Sequence, residues 1–553
     1  LILASAFVLR VYGVIIGVFP FFREATYGMA AWRIIEGDMP YRDFNHPQAP
    51  LTPLIFAFVF LIFGVGVVQG RLFMVFFTTF TSFMIYLTGK RLDYKTGLLG
   101  SLVYAVAPWS VVYGMRMQND HLAMTFCVIG YYFLTPLIMG NDDQKMDFIA
   151  QRNSLILAGL FVGIGVLIKI IVAPILFAFI AILVIEGRHS DVRITDQVRN
   201  VGFLILGFII PLLVVCSPFY LLIGDEFTKQ VLGQHFAKPP SPGERWIYPV
   251  EYLILGNAYF FVFFALSVFF AIRRPYGRGL IICILVMIFA IFFLSPRQYP
   301  NYYLALILWM SMVCGLFPFP DLKSLASKTE LIILNGIIVL NLLFYKIYRY
   351  FNLYIPRATY FSHVAAQIAL VATSIALIAF IVMLIKEGHY SDGRINDQVK
   401  NALSFPYQIW KRLRNIFDQD GIKAIIAVLF IVLIATTYIS YFPRSESEKK
   451  TVEWIKANTS PDDYVLVDNL KINFWSLRRS PFAEVSIDRT LLGELTGEMF
   501  IEACYAFDVR VVVVTGRLFG EYETYDVFLE FLENNYVPIT EGYTIYVRIY
   551  SLQ

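Results

Sequence analysis

Charge is scarce in this chain. Asp, Glu, Lys and Arg make up only 16% of its residues, against roughly 25% in a soluble globular protein. A surface solvated on all sides is thereby excluded. Cysteine is scarce too. Cys127, Cys216, Cys283, Cys314 and Cys504 are the five, four of them inside apolar runs and none in a CxxC pair. That spacing supports neither a disulfide framework nor a metal cluster. The net charge of +4 is too small to point to nucleic acid. The basic residues matter by placement instead.

Apolar sequence is abundant: 58% of residues are hydrophobic. Runs of about 18 to 22 residues recur, each long enough to cross about 30 Å of hydrocarbon. Thirteen spans are expected, at about 1–20, 71–89, 96–114, 121–139, 154–170, 172–186, 201–223, 251–272, 279–295, 301–318, 330–346, 363–386 and 423–442. The first run has no small-residue cleavage site and reads as a membrane anchor. Segment 51–69 is also apolar, but it opens with Pro47, Pro50 and Pro53 nearby, which suits an interrupted or re-entrant helix. If it lies in the outer interface, GKRLDYK (89–95), RRPYGR (273–278) and the segments after Glu186 and Lys386 all fall on the cytoplasmic side. The loop Phe21 to Pro53, Asp120, Lys169 and Arg297 then fall outside.

One repeat agrees with that arrangement. EGRHSDVRITDQVRN (186–200) matches EGHYSDGRINDQVKN (387–401) at ten of fifteen positions. Both copies are expected as solvated connectors or amphipathic helices at the inner headgroups. After Tyr441 the composition becomes charged. YVLVD (464–468), VRVVVV (509–514) and YTIYVRIY (543–550) read as strands, and TVEWIKAN (451–458) and VFLEFLENN (527–535) as helices. Residues 1–442 are thus expected to form a membrane domain and 443–553 a small α/β domain outside the membrane. The latter has no GxGxxG and no P-loop.

The acids and cations that are candidates for chemistry collect at one face. Loop Phe21–Pro53 carries Arg23, Glu24, Arg33, Glu36, Asp38, Arg42, Asp43 and His46 close to hydrocarbon, where charge is expensive and tends to be functional. Glu24 is placed to take a proton from an acceptor hydroxyl, to hold a divalent cation, or simply to pair with Arg23 or Arg33. Asp120 starts an inward span, with Arg116 four residues before it. Lys169 is alone in a long apolar stretch and either snorkels to the headgroups or binds a lipid phosphate. Arg297, with Tyr299, Tyr302 and Tyr303, suits an aromatic belt or stacking on a sugar or polyprenyl chain. Loop 224–250, with KPPSPGERWIYP, reads as an ordered external loop or a lid over a lipid-linked substrate. A lipid phosphate leaving group needs cations and an acceptor hydroxyl needs a base, so the set fits glycosyl transfer from a polyprenyl-phosphate sugar.

The order of features resembles the GT-C superfamily of membrane glycosyltransferases, nearest to the branch of protein O-mannosyltransferases and lipid A aminoarabinose transferases. The resemblance rests on RE at 23–24, Tyr27, EGDMPYRDF at 36–44, HPQAP at 46–50, Arg71, Asp120 after Pro108, and Lys169 in a Gly-rich span. It implies a polytopic helical GT-C fold with an external α/β domain, in the cell membrane with its active site outside. It also implies inverting transfer from a dolichyl- or undecaprenyl-phosphate sugar to a protein, lipid or glycan acceptor. Glu24 and Asp120 are the expected catalytic acids, also the expected ligands of a divalent cation (magnesium or manganese). Lys169, Arg116, Arg297, His46, Tyr299 and Tyr302 are the expected contacts to lipid phosphate and sugar. Where the family commonly has Asp-Glu, this chain has Arg23-Glu24, which leaves the base to Glu24 or Asp120. Three rivals stand beside this reading. A lipid or sugar transporter needs mid-span charges and inverted repeats. An oligosaccharyltransferase is expected to carry a WWDYG-type signature, which is lacking here. An inactive scaffold would fit Arg23.

Overall fold

A computed structural model describes residues 2–16, 22–139, 147–189, 193–233, 258–295, 302–317, 446–482, 496–515, 525–541 and 543–548. The expected spans at 330–346, 363–386 and 423–442, and the second copy of the repeat, lie outside the described residues. The helices are α1 (Ile2–Ile16), α2 (Phe22–Ile35), α3 (Leu51–Phe63), α4 (Val67–Lys90), α5 (Tyr94–Val106), α6 (Pro108–Gly114), α7 (Asn119–Met139), α8 (Phe148–Ile168), α9 (Pro174–His189), α10 (Ile194–Ile223), α11 (Asp225–Thr228), α12 (Ala258–Ala271), α13 (Pro275–Phe289) and α14 (Tyr303–Cys314). Six described stretches are long and apolar enough to cross a bilayer: Val67–Lys90, Asn119–Met139, Phe148–Ile168, Ile170–Gly187, Ile194–Ile223 and Pro275–Leu294. The tightest packing is between α8 and α10. A β-carbon at Gly159 would overlap the carbonyl of Leu204, and one at Gly207 that of Ile156, so small residues let these backbones meet.

The spans share a polarity. At one end Arg274 pairs with Asp93 at 3.8 Å and Arg278 with Glu186 at 2.6 Å. The basic connectors 89–95 and 273–278 and the end of α9 therefore sit together, as the charge bias required. At the other end lie the starts of α4 and α7 and the end of α8.

Segment 51–69 does not cross. Helix α3 has 13 residues, about 20 Å at 1.5 Å per residue, against about 30 Å of hydrocarbon. Near its start, Thr52 Oγ1 donates to the carbonyl of Ile168 at 2.9 Å. Gly64, at φ +82°, ends it, and the chain turns at once into α4. Both ends of α3 thus lie at the same end of the bundle. Phe58, Leu61, Ile62 and Phe63 of α3 are exposed, apolar surface that suits a helix lying in the interface.

Three expectations need correction. The run 96–114 is not one span but two helices, α5 and α6, broken at Ala107. Pro108 supplies no N–H and pushes the residue before it out of helical geometry. The first copy of the repeat forms no surface helix of its own. It is split between the end of α9 and the first turns of α10. The stretch 21–53 is not loop throughout, because α2 occupies Phe22–Ile35 with residues 24–31 buried.

The C-terminal region follows the expected alternation. Its helices are α15 (Glu446–Asn458), α16 (Leu470–Ser476), α17 (Gly497–Ala506) and α18 (Asp526–Asn535). Its strands β1 (Val465–Val467), β2 (Val511–Val514), β3 (Tyr536–Glu541) and β4 (Tyr543–Arg548) form one sheet in the order β1-β2-β4-β3. Strands β1 and β2 are parallel, with Val465 opposite Val511, and the other neighbours are antiparallel. Val465, Val467, Val511 and Val513 pack with Val452 and Ile455 of α15. Leu466 and Val512 face Phe500, Phe528 and Leu532 in the other core. Helices on both faces explain why these strands read as unbroken valine runs.

Helix α16 seats this region on α2. Phe474 lies so close to Gly28 that a β-carbon there would overlap its ring, and Arg479 pairs with Glu36 at 2.9 Å. Gly28→Ala is therefore expected to cost about 1–3 kcal/mol as an overpacking change, concentrated at this contact. Limited proteolysis should show faster nicking near the C-terminal region, and adding Phe474→Leu should slow it again. Unchanged nicking would contradict the contact.

Candidate active site

Glu24 stands in the first turn of α2, where a carboxylate complements the helix dipole. Arg71 stands in the second turn of α4. The two meet as a fork: Arg71 Nε donates to Oε1 at 2.8 Å and Nη2 to Oε2 at 2.7 Å. Oε1 also accepts from the backbone N–H of Met117 at 3.1 Å. Glu24 and Arg71 are 0% and 1% exposed. One carboxylate therefore ties α2, α4 and the turn between α6 and α7.

Asp120 stands in the first turn of α7 and pairs with Lys169 Nζ. Lys169 ends α8 in extended geometry, at φ −152° and ψ 114°, before a turn over Ile170–Val172 and Pro174. That break frees the Ile168 carbonyl, which accepts from Thr52 Oγ1 and, at 3.4 Å, from Asn119 Nδ2. Lys169 Nζ lies 4.5 Å from the centre of the Tyr302 ring. The lysine is buried, so it does not snorkel. Arg116 is also buried and stacks its guanidinium 4.1 Å over the Tyr113 ring. It lies in the turn before α7, so its four-residue distance from Asp120 is not helical pair spacing.

His46 is held by the far side of the site. Its backbone N–H donates to Gln230 Oε1 at 3.0 Å, and Gln230 Nε2 donates to the carbonyl of Tyr41 at 3.0 Å. The Tyr41 ring meets Phe219 and Phe227 edge-on. Loop 36–50 is thereby clasped to the end of α10 and to α11. Burial lowers the His46 pKa to about 3, so this ring is neutral and offers a phosphate no charge. The sign of the linkage follows. A histidine whose folded value lies below its unfolded value of about 6.5 contributes stability above that value and loses it as pH falls. Stability is expected to drop by about 2 kcal/mol from pH 8 to pH 5 on account of His46, and His46→Gln should lessen the total drop by about that amount in thermal unfolding. An equal drop in the variant would contradict the burial of a neutral ring.

The structure thus brings together Glu24, Asp120, Lys169, Arg116 and Tyr302 through shared segments, and places His46 on the loop that leads into α3. Arg297, Tyr299 and residues 234–250 lie outside the described residues. Arg71 was legible only as part of a family motif, because its partner is distant in sequence. As for a metal, both carboxylates already face a cation, Arg71 or Lys169. Among the described residues no three His, Cys, Asp or Glu side chains form a group able to hold an ion. The described donor set, with each carboxylate facing a cation, is not one that fits a metal, and no step is routed through one.

The architecture and motifs have counterparts. The family model of dolichyl-phosphate-mannose-protein mannosyltransferases matches residues 45–219. Among solved structures, ArnT from Cupriavidus metallidurans bound to undecaprenyl phosphate superposes with a TM-score of 0.64 at 14% identity, covering 100% of this chain and 98% of that one. Its apo state gives 0.63 at 15% identity, covering 100% and 97%. The Archaeoglobus fulgidus oligosaccharyltransferase in the apo form gives 0.48 at 13% identity, covering 97% and 72%. No curated protein matches the chain significantly. The class is that of polytopic helical membrane proteins with the GT-C fold. The family match over residues 45–219 spans HPQAP (46–50), Arg71, Asp120 and Lys169 of the quoted motifs, and the likeness to ArnT is one of fold.

Proposed function

We propose that this chain is a glycosyltransferase that moves a sugar from a polyprenyl-phosphate donor to an acceptor hydroxyl or amine at the outer face of the cell membrane. The observation that carries the reading is the buried Asp120–Lys169 pair beside Tyr302, at the bundle end shared with Glu24 and with α16 of the C-terminal region. A base and a cation are poised together where a lipid phosphate can approach from α3 and the interface. ArnT, the fold neighbour, was solved with undecaprenyl phosphate bound, which supports a lipid-phosphate donor here.

In this reading the acceptor oxygen attacks the anomeric carbon and the bond from that carbon to the phosphate oxygen breaks. The pair of electrons leaves on the polyprenyl phosphate, whose charge Lys169 receives, with Arg116 as a second cation. Asp120, released from Lys169 by the incoming phosphate, takes the acceptor proton. Glu24, with both oxygens engaged, positions the Met117 turn rather than acting as the base. Tyr302, beside Lys169, supplies the sugar-facing aromatic surface. Residues 1–442 carry the reaction, and 443–553 guide the acceptor on the same side. A single displacement inverts the anomeric centre. Product formed from a donor of defined anomer should show the opposite anomer by NMR. Retained configuration, or hydrolysis of donor without transfer, would contradict the reading.

A further inference from the structure

Arg10 is a charge that the proposed chemistry does not use. It stands in the middle of α1 and is fully buried. Ionisable groups inside a membrane bundle are expensive and are kept where they have a role. Its guanidinium points at the break between α5 and α6. Nη1 donates to the Ala105 carbonyl at 3.3 Å, and to Ala6 of its own helix at 2.9 Å. Nη2 donates to Ser110 Oγ at 2.8 Å, across the break. The end of α6 also rests on the arginine, because a β-carbon at Gly114 would stand 3.1 Å from Arg10 Nε.

The break needs such a partner. Ala107 leaves the helix at ψ 124°, and Pro108 has no N–H to return to the preceding turn. Carbonyls freed in this way are costly in an apolar interior unless a donor reaches them. A lysine's single point of charge suits two acceptors on either side of a break less well than the planar fork of arginine. The network continues toward the site. Arg10 Cζ lies 5.7 Å from the centre of the Tyr104 ring. Tyr104 Oη is 3.0 Å from His121 Nδ1, on the residue after Asp120. Thr78 Oγ1 donates to the Gly114 carbonyl at 3.1 Å. Beyond α6, the same segment supplies the Met117 N–H that Glu24 accepts.

We infer that Arg10, with Ser110 and Tyr104, braces the α5–α6 break and so acts as a positioning residue for Glu24 and Asp120. The assignment of those two acids rests on the glycosyl-transfer reading, whereas the brace itself does not. Arg10→Lys, Ser110→Ala and Tyr104→Phe in the full chain, reconstituted in nanodiscs, test it by two readouts. In hydrogen exchange, Arg10→Lys should raise deuterium uptake over 108–118 at least threefold relative to the other membrane helices. In transfer from a polyprenyl-phosphate sugar, it should lower kcat at least tenfold with KM for the donor changed less than threefold. Ser110→Ala and Tyr104→Phe should move both in the same direction by less, and they carry the test if Arg10→Lys does not fold. Uptake raised equally throughout the bundle, with kcat per folded molecule unchanged, would reduce Arg10 to general stability and overturn the inference. Should wild-type protein transfer no sugar, the glycosyl-transfer reading fails on its own, and local uptake over 108–118 still decides the brace.

Discussion

Asp120→Asn is expected to lower transfer by about 10²–10⁴-fold, the range for loss of a general base. The substitution keeps the shape of the side chain and removes its charge. It also leaves Lys169 buried beside a neutral amide, and stranding one member of a buried pair costs about 3–5 kcal/mol. A loss of activity could then reflect unfolding. The double variant Asp120→Asn with Lys169→Met separates the two effects, because it removes both charges together. It should recover much of the thermal stability and none of the transfer. Wild-type transfer by the folded single variant would remove Asp120 from the chemistry.

The second large effect concerns the Glu24–Arg71 fork. Both groups are buried. Arg71→Met strands the Glu24 carboxylate and should cost about 3–5 kcal/mol in thermal or denaturant unfolding. Glu24→Gln should cost a similar amount, with the Met117 turn loosened as well. The double variant should be less destabilised than the sum of the singles by at least about 1 kcal/mol, since groups in direct contact couple. Strict additivity would mean that the two residues do not act as a pair.

Much of the frame was legible in the sequence because it depends on local pattern. Continuous apolar runs marked α4, α7, α8, α9, α10 and α13, and the valine runs marked β1 and β2. Charge placement put 89–95 and 273–278 at one end, where Asp93 and Arg274 now meet. What escaped was what depends on distant partners or on a single residue inside a uniform run. Glu24 and Arg71 are 47 positions apart, and Asp120 and Lys169 are 49 apart, so no spacing rule joins them. The run 96–114 stays apolar through Pro108, and hydropathy cannot register a helix break. Strand β3 follows α18 with no turn residue between them, so no local signal separated it from the helix. Arg10 was passed over inside an apolar run, although a lone arginine there was itself the signal.

The most direct measurement is transfer of radiolabelled mannose or glucose from polyprenyl phosphate by purified, reconstituted protein, with wild type beside Asp120→Asn and Glu24→Gln. The account predicts transfer by wild type and its loss in the folded Asp120→Asn variant. A folded wild-type protein that transfers neither sugar, or a folded Asp120→Asn variant as active as wild type, would contradict it.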